Sequence, residues 1–436
     1  MLTSVESEGP HLEALEAIEE LRAREFSRLD ETGTAYLDYT GAALYPASLV
    51  RRDLERLSTS VFGNPHSESA ASRASTEALD AARALTLKMF DADPAEYDVV
   101  FTANASGAIR ILAEAFPFSS GSRLVMTADN HNSVNGLRVA ARQRRAAIEY
   151  VPLDAELRGL NPHPWLSRTP GPSLFAYPAQ SNFSGVRHPL EWVRDAQQRG
   201  YRVLLDAASF ATTSPLSLSD VPADFVAVSY YKLFGYPTGV GALVARREAL
   251  ALLRRRFFGG GTVQFVSVQN RLSRARVGAE AFEDGTPNFL AMPAVCDGLR
   301  WLEETGMRAI ERHISQLTLA LLDRLIGLGN RATIYGPRTL DGRGGTVAFN
   351  LHRDGRTLPY EMVEMAARDR RLAIRAAVSA TPGRPNTHLV IPHSGPGRAC
   401  GAHSPSAAFA HVWADRRLAR YGPQSVCRQT TRISTV

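Results

Sequence analysis

Two residues of this chain have the types and the setting to do covalent chemistry on a carbonyl group. One is Lys232, in the run Ser229-Tyr230-Tyr231-Lys232-Leu233-Phe234-Gly235, and the other is Asp206, which closes the apolar run Leu204-Leu205-Asp206. Among the 50 lysines and arginines of the chain, only Lys88 and Lys232 are lysine. Lys88 lies in a stretch, 76–88, whose apolar residues recur at helical spacing, and it reads there as a solvated decoration. Lys232 stands in an aromatic, glycine-bearing setting that desolvates its amine. Desolvation lowers a lysine pKa and frees the amine to form a Schiff base. An acid at the end of a buried strand, facing the same site, holds a pyridine nitrogen protonated and makes the ring an electron sink. A lysine and an acid so placed are what pyridoxal 5'-phosphate (PLP) requires of a protein, together with a cradle for its phosphate. The competing readings are a snorkelling surface lysine and an aspartate that only caps a helix.

The cradle is best sought at Phe101-Thr102-Ala103-Asn104-Ala105-Ser106-Gly107-Ala108, where small residues turn a strand into a helix. Backbone N–H groups and the helix dipole favour an anion at such a place. Ser106, with Gly107 beside it, adds a hydroxyl, as do Ser229 and Tyr231; taken alone, the turn reads equally well as an ordinary N-cap. His131, in Asp129-Asn130-His131-Asn132-Ser133, follows a strand and is placed to stack on a cofactor ring, or else belongs to a helix-capping polar cluster. Asn182, in Gln180-Ser181-Asn182-Phe183-Ser184-Gly185, is placed to meet the phenolic oxygen of the cofactor or the carboxylate of a substrate, against simple turn chemistry.

The elements that must position these groups read as an α/β fold. Apolar strands at 98–101, 123–126, 148–151, 173–177, 201–205 and 225–228 are separated by helical segments. That pattern implies a mostly parallel sheet covered on both faces, with ligands beyond the carboxyl ends of its strands. A helical arm fills 1–30 and the large PLP-binding domain 31–288. A helical tract at 289–328 opens a smaller α+β domain, 289–375, with strands at 332–335, 345–351 and 372–374 and a helix at 360–368. Residues 376–436 contain no lysine or glutamate and one aspartate, Asp415, and show almost no periodicity, so that segment is expected to be disordered or poorly packed.

Composition excludes several function classes. With 44% hydrophobic and 22% charged residues, the chain is an ordinary globular protein. Its net charge of +6 comes from arginines scattered among acids, with no long basic run and no zinc-finger spacing, which argues against nucleic acid. The densest cluster, Arg254-Arg255-Arg256, is expected to cap a helix C-terminus. No apolar run reaches membrane-spanning length, and the acidic, helical start is unlike a signal or transit peptide. Three cysteines, Cys296, Cys400 and Cys427, form no framework, so a reducing, cytoplasmic setting is expected, with Cys296 a small core residue.

The chain resembles the class V, fold-type I PLP enzymes of the cysteine desulfurase group, and within them the desulfurase-like domain of molybdenum cofactor sulfurases. The resemblance covers roughly 30–375 and rests on Tyr36-Leu37-Asp38-Tyr39-Thr40-Gly41-Ala42-Ala43-Leu44, Phe62-Gly63-Asn64-Pro65-His66-Ser67, Tyr177-Pro178-Ala179-Gln180-Ser181-Asn182-Phe183-Ser184-Gly185, Leu205-Asp206-Ala207-Ala208-Ser209, the Lys232 run, Phe258-Gly259-Gly260-Gly261-Thr262 and Phe282-Glu283-Asp284-Gly285-Thr286. It implies a mostly parallel, seven-stranded type of sheet with a smaller and incomplete C-terminal domain. It makes Lys232 the Schiff-base lysine and His131 the stacking ring, both catalytic, with Asp206 the pyridinium partner. Ser106, Gly107, Ser229 and Tyr231 take the phosphate side, Asn182 contacts cofactor and substrate, Arg375 binds substrate, and Thr262 reaches across a homodimer interface. The implied substrate is L-cysteine or a related amino acid. The implied sulfur acceptor is molybdenum cofactor or a carrier protein.

The chain leaves the family pattern after Arg375. Sulfurase relatives continue into an arginine-x-glycine-cysteine-x-cysteine-asparagine segment that supplies the sulfur-accepting thiol, whereas this chain reads Ala376-Ala377-Val378-Ser379-Ala380-Thr381. Codons read from the third base of the Arg375 codon onward are compatible with glycine, glycine, cysteine, phenylalanine, cysteine, asparagine, proline and glycine. Residues 376–436 are therefore expected to be a frameshifted tail. Cys400 falls too late for the family thiol, and no cysteine of the chain inherits that role. This leaves open another class V reaction that needs no enzyme thiol, or a non-catalytic remnant.

Overall fold

The computed structural model describes residues 9–377 and 407–411. After a short strand, β1 (Ala35–Tyr36), come β2 (Tyr97–Thr102), β3 (Arg123–Thr127), β4 (Ala147–Val151), β5 (Ser173–Pro178), β6 (Tyr201–Asp206), β7 (Phe225–Ser229) and β8 (Gly241–Arg246). The last seven form one sheet in the order β2-β8-β7-β6-β5-β3-β4. All run the same way except β8, which lies antiparallel between β2 and β7. Side chains alternate between the two faces of a strand, and both faces here are buried. Val99, Phe101, Phe175, Tyr177, Val203, Leu205, Val226 and Val228 enter one core, while Val100, Leu174, Ala176, Leu204, Phe225 and Ala227 enter the other. Each large apolar side chain so buried contributes about 1.5–3 kcal/mol.

Helices close both faces. Leu79, Ala82 and Leu87 of the helix Ala70–Met89, and Val295, Cys296 and Leu299 of Met292–Thr305, pack into the first core. The helix Ala105–Ala115 sends Ala108, Ile109 and Leu112 into the second. The single helical tract expected at 289–328 is two helices. Gly306, at φ 82°, breaks it between Met292–Thr305 and Met307–Gly327, a left-handed conformation that glycine adopts without strain. Lys88 ion-pairs with the exposed Glu303 at the solvent-facing side of its helix, as expected of a surface lysine. Arg254 donates to Ala251 O at 2.7 Å, on the last turn of the helix Arg247–Leu252.

The remaining strands are peripheral. β9 (Val263–Ser267) and β10 (Leu272–Ala275) form an exposed hairpin that the sequence reading does not anticipate. β11 (Ala332–Tyr335), β12 (Thr346–Arg353), β13 (Arg356–Thr357), β14 (Leu372–Ala373), β15 (Arg375–Ala377) and β16 (Ala407–His411) follow. A second sheet runs β11-β12-β16-β15 with β13 on β12, and β14 pairs in parallel with β1. Residues 407–411 thus add a strand to the smaller sheet, past the point where the sequence reading ends it. The frameshift expectation falls mostly on 378–406 and 412–436, which lie outside the described residues together with Cys400 and Cys427. No helix among the described residues is long and apolar enough to cross a membrane.

Candidate active site

Five of the parallel strands of the large sheet deliver candidate residues at or just beyond their carboxyl ends. β2 leads to Ser106 and Gly107, β3 to His131, β5 to Asn182, β6 to Asp206 and β7 to Ser229, Tyr231 and Lys232. The edge where such strands end is where open α/β sheets place ligands. Residues scattered over more than a hundred positions are gathered there by topology alone.

At its centre are Lys232, Asp206 and His131. Lys232 lies in a one-turn helix, Tyr230–Phe234, that starts where β7 stops. The turn after β1 packs on that helix through Ala43 N, which donates to Tyr231 O at 3.2 Å. A narrow cavity lined by Tyr39, Leu44, Thr213, Phe234 and Trp301 runs alongside the lysine. Burial pushes the Lys232 ammonium below the ordinary lysine value, Arg375 pushes the same way, and the carboxylates of Asp206 and Asp38 oppose them. Asp206 is buried, and its Oδ1 accepts from Ala208 N at 3.0 Å. His131 sits at the solvent edge. The protein packed around its ring, with the charge of Lys232, holds the imidazole below the usual histidine value against the pull of Asp206. Its Nδ1 accepts from Ser133 N at 3.1 Å, so the neutral ring carries its proton on Nε2.

The turn after β2 is built as a cradle. Asn104 caps the helix Ala105–Ala115, its Oδ1 accepting from Gly107 N at 3.0 Å. Ser229 Oγ accepts from Ala105 N at 2.8 Å, which leaves the hydroxyl proton to donate. Ser106 Oγ lies 2.6 Å from Ser133 Oγ, so the two helix starts after β2 and β3 converge on one spot with a pair of hydroxyls. Ser133 is a contributor that the sequence reading does not single out, and Asn104, which stands where relatives usually have glycine, is one to which it gives no role. Both are small polar residues at helix starts, the one local signal available.

Three candidates stand differently. Asn182 is half-buried at the tip of a loop, 179–188, closed by Ser181 N to Val186 O at 2.8 Å and by an isolated bridge between Gln180 and Arg187. Arg375 lies in the small sheet with its guanidinium against Gly41, and its fork is already filled by Asp38, at 2.6 and 3.0 Å. It still faces Tyr231 and Lys232 electrostatically. Asp38 went unnoticed because its partner is 337 residues away. Thr262 is not brought into this group. Its hydroxyl donates to Gly259 O at 2.9 Å and accepts from Gly259 N at 3.0 Å, on the turn that leads into the exposed β9–β10 hairpin.

The group presents a desolvated amine, a buried carboxylate and an imidazole at one strand edge, beside a hydroxyl-rich helix start that suits a phosphate. The donor set fits PLP. The architecture is that of cysteine desulfurases: the apo structure of the enzyme from Thermococcus onnurineus NA1 superposes with TM-score 0.79 at 23% identity, over 96% of this chain and 98% of that one. The cystine C-S lyase C-DES, solved with its product cysteine persulfide, matches with TM-score 0.70 at 18% identity, over 94% of this chain and 99% of that one. The chain belongs to the aminotransferase class-V family, whose model matches residues 35–376. It is 34% identical to the molybdenum cofactor sulfurase of Solanum lycopersicum, with 86% of this chain and 51% of the relative covered. The chain thus spans about half the length of the curated relatives it matches.

Proposed function

We propose that this chain binds PLP through Lys232 and is a protein of the molybdenum cofactor sulfurase type, whose reaction moves sulfur from L-cysteine or a related amino acid to an acceptor, either molybdenum cofactor or a carrier protein, in the cytoplasm. With no cysteine of the chain in the place of the family's sulfur-accepting thiol, its own sulfur transfer is impaired. The observation that carries this reading is the depressed amine of Lys232 facing the Asp206 carboxylate and the His131 ring. When bound, PLP supplies an aldehyde that condenses with amines and a ring that withdraws electrons. Lys232 supplies the amine that holds it and, once released, a base beside the substrate carbon. Asp206 has one oxygen engaged with Ala208 N and offers the other to the ring-nitrogen proton. His131 would cover the ring, Ser106, Gly107, Ser229 and Tyr231 would hold the phosphate, and Asn182 would meet the phenolic oxygen or the substrate. Arg375 would bind the substrate carboxylate by releasing Asp38, which now fills its fork.

Absorbance of the purified protein with PLP, before and after borohydride, tests this reading. The expected result is a band at longer wavelength than free cofactor and a reduced adduct mapped to Lys232. Because the amine must be neutral to react, the capture rate is expected to rise with pH. With the folded amine held below the ordinary lysine value, its plateau comes at lower pH than for a free lysine side chain. An adduct on Lys88, or none, would leave only a non-catalytic remnant.

A second reading is favoured by Cys296, the one cysteine among the described residues. Burial pushes its thiol up to about 11, which disqualifies it as a thiolate nucleophile. A class V reaction that needs no enzyme thiol, such as transamination, epimerisation or lysis of selenocysteine or cysteine sulfinate, fits that fact. Alanine formed from cysteine sulfinate but not from L-cysteine would establish it.

Thr262 reaches a site only if a second copy presents one. Its hairpin and the preceding segment expose Phe257 at 67%, Phe265 at 52% and Val268 at 83%, large apolar side chains of the kind an interface covers. A homodimer is expected in sedimentation velocity. The double substitution Phe257→Ser and Val268→Asp is expected to shift it to monomer and to weaken PLP binding, and a monomeric parent protein would sink the idea.

A further inference from the structure

Beneath the loops that carry His131 and Asn182 lies a buried carboxylate–imidazole pair with no part in the scheme above. Asp129 Oδ2 and His188 Nε2 are 2.8 Å apart, with side chains 2% and 1% exposed. Asp129 stands two residues before His131, and His188 stands six after Asn182. His188 N donates to Ala179 O at 3.1 Å, so His188 forms the foot of the closed loop whose tip is Asn182. The Asp129–His188 contact ties that foot to the loop of His131.

Neither partner has room to drift. The His188 ring stacks on Trp192 at 5.5 Å and 25°, meets Tyr177 edge-on at 6.4 Å, and lies so close to Gly159 that a methyl there would sit 3.0 Å from it. Between Asp129 and His131, the Asn130 amide donates to Thr127 O and to Ala176 O, both at 2.9 Å, pinning the loop to β5. Burial alone would raise the Asp129 carboxyl. His188 first, with the Thr127 and Ser181 hydroxyls, outweighs that and holds it below its ordinary value. The other carboxylate oxygen makes no hydrogen bond of ordinary geometry among the described residues, and the nearby Thr127 and Ser181 hydroxyls add to the compensation that His188 provides.

A buried ion pair is weak evidence for stability, since apolar replacements of both partners often fold as well. What an apolar pair cannot reproduce is a fixed donor-to-acceptor register between two loops. We infer that Asp129 and His188 are positioning residues, which lock the His131 and Asn182 loops in one relative placement so that both groups approach the bound cofactor together. The inference rests on the reading of Lys232 as the PLP lysine.

The test compares the parent protein with Asp129→Asn, which keeps an acceptor for His188, with His188→Gln, and with the double substitution Asp129→Leu, His188→Leu. Far-ultraviolet spectra and thermal midpoints report folding. Visible circular dichroism of the bound chromophore, the dissociation constant of PLP, and kcat and KM for L-cysteine report placement. The apolar double variant is expected to fold and to keep the Lys232 adduct, while its visible dichroism changes and kcat falls roughly 10- to 100-fold with KM little altered. Asp129→Asn is expected to stay within roughly 3-fold of the parent, as rescue by a conservative change requires. An apolar variant with parental dichroism, PLP affinity, kcat and KM would overturn the inference and leave the pair as packing. Should that variant not fold, His188→Gln decides, with parental values again overturning it. A parent protein without a Lys232 adduct defeats the PLP reading itself, and the inference with it, which is distinguishable from a parent that binds PLP and variants that behave like it.

Discussion

Lys232→Ala is expected to abolish covalent capture of PLP and to lower turnover of L-cysteine by at least about 10²- to 10⁴-fold, the usual share of a positioned acid–base group. The chain has no substitute. Its other lysine, Lys88, is 64% exposed and ion-paired on a helix surface, without the burial that lowers the pKa of Lys232. Lys232→Arg separates charge from chemistry, because a guanidinium keeps the cation but stays protonated and does not act as a nucleophile. It is expected to be as inactive as the alanine variant. Stability should move little and with a defined sign. The amine of Lys232 titrates at a lower pH in the folded protein than in the unfolded chain, so between those two values the unfolded state binds more protons and stability rises with pH. The alanine variant lacks that rise. The thermal midpoint of the parent relative to that of the variant is therefore expected to be higher near pH 10 than at neutral pH, and an equal difference at the two pH values would mean that the lysine is not desolvated. An adduct that survives in the Lys232→Ala protein would end the assignment.

Much of the site was legible because parallel strands leave a local mark. Each is a run of apolar residues buried on both faces, so its end is visible, and the polar residue that follows must lie at the common edge. That argument puts Ser106, His131, Asn182, Asp206 and Lys232 at or shortly past the ends of parallel strands, which agrees with the strand bounds. Where the pattern carries no such mark, the reading stops. β8 is six residues, Gly-Ala-Leu-Val-Ala-Arg, whose apolar run does not alternate and cannot be told from buried helix by period. Its antiparallel insertion between β2 and β7 follows from backbone pairing that no neighbour in sequence announces. β16 is mostly alanine, with little side-chain signal of its own, and is defined by its pairing with β12 and β15. The pairs that hold the site, Asp129 with His188 and Asp38 with Arg375, span 59 and 337 residues, distances over which sequence spacing constrains nothing. The resemblance to sulfurases suggested a role for Arg375. Only the coordinates show that its fork is occupied by Asp38.

Gly185→Ala is expected to cost about 2–5 kcal/mol and to damage the site as well as the fold. Gly185 has φ 75°, where a β-carbon is strained by about 1–2 kcal/mol. That carbon would also meet Thr346 O at 2.2 Å and Arg343 Nη2 at 3.2 Å, and overpacking against backbone adds about 1–3 kcal/mol. The contact matters because this is where the loop of Asn182 is joined to the small sheet. Gly344 N donates to Gly185 O at 2.8 Å, and the buried Arg343 guanidinium donates to the carbonyls of Ser184, Thr346, Pro337 and Gly344. Burial and the nearby Arg158 push Arg343 down to about 10, which leaves it protonated at neutral pH and able to serve all four acceptors. Thr346 in turn lies 3.4 Å from Thr40 Oγ1, beside the Gly41 turn on which Arg375 rests. Forcing Thr346 away from Gly185 therefore moves Asn182 and Arg375 relative to each other, the two groups proposed to hold the substrate. A thermal midpoint several degrees lower, together with a raised KM for L-cysteine, is the expected pair of results, in contrast to Lys232→Ala, where activity is lost with the fold intact. A Gly185→Ala protein with parental midpoint and KM would mean that the loop and the small sheet yield to each other, and that the substrate groups are not held by this joint.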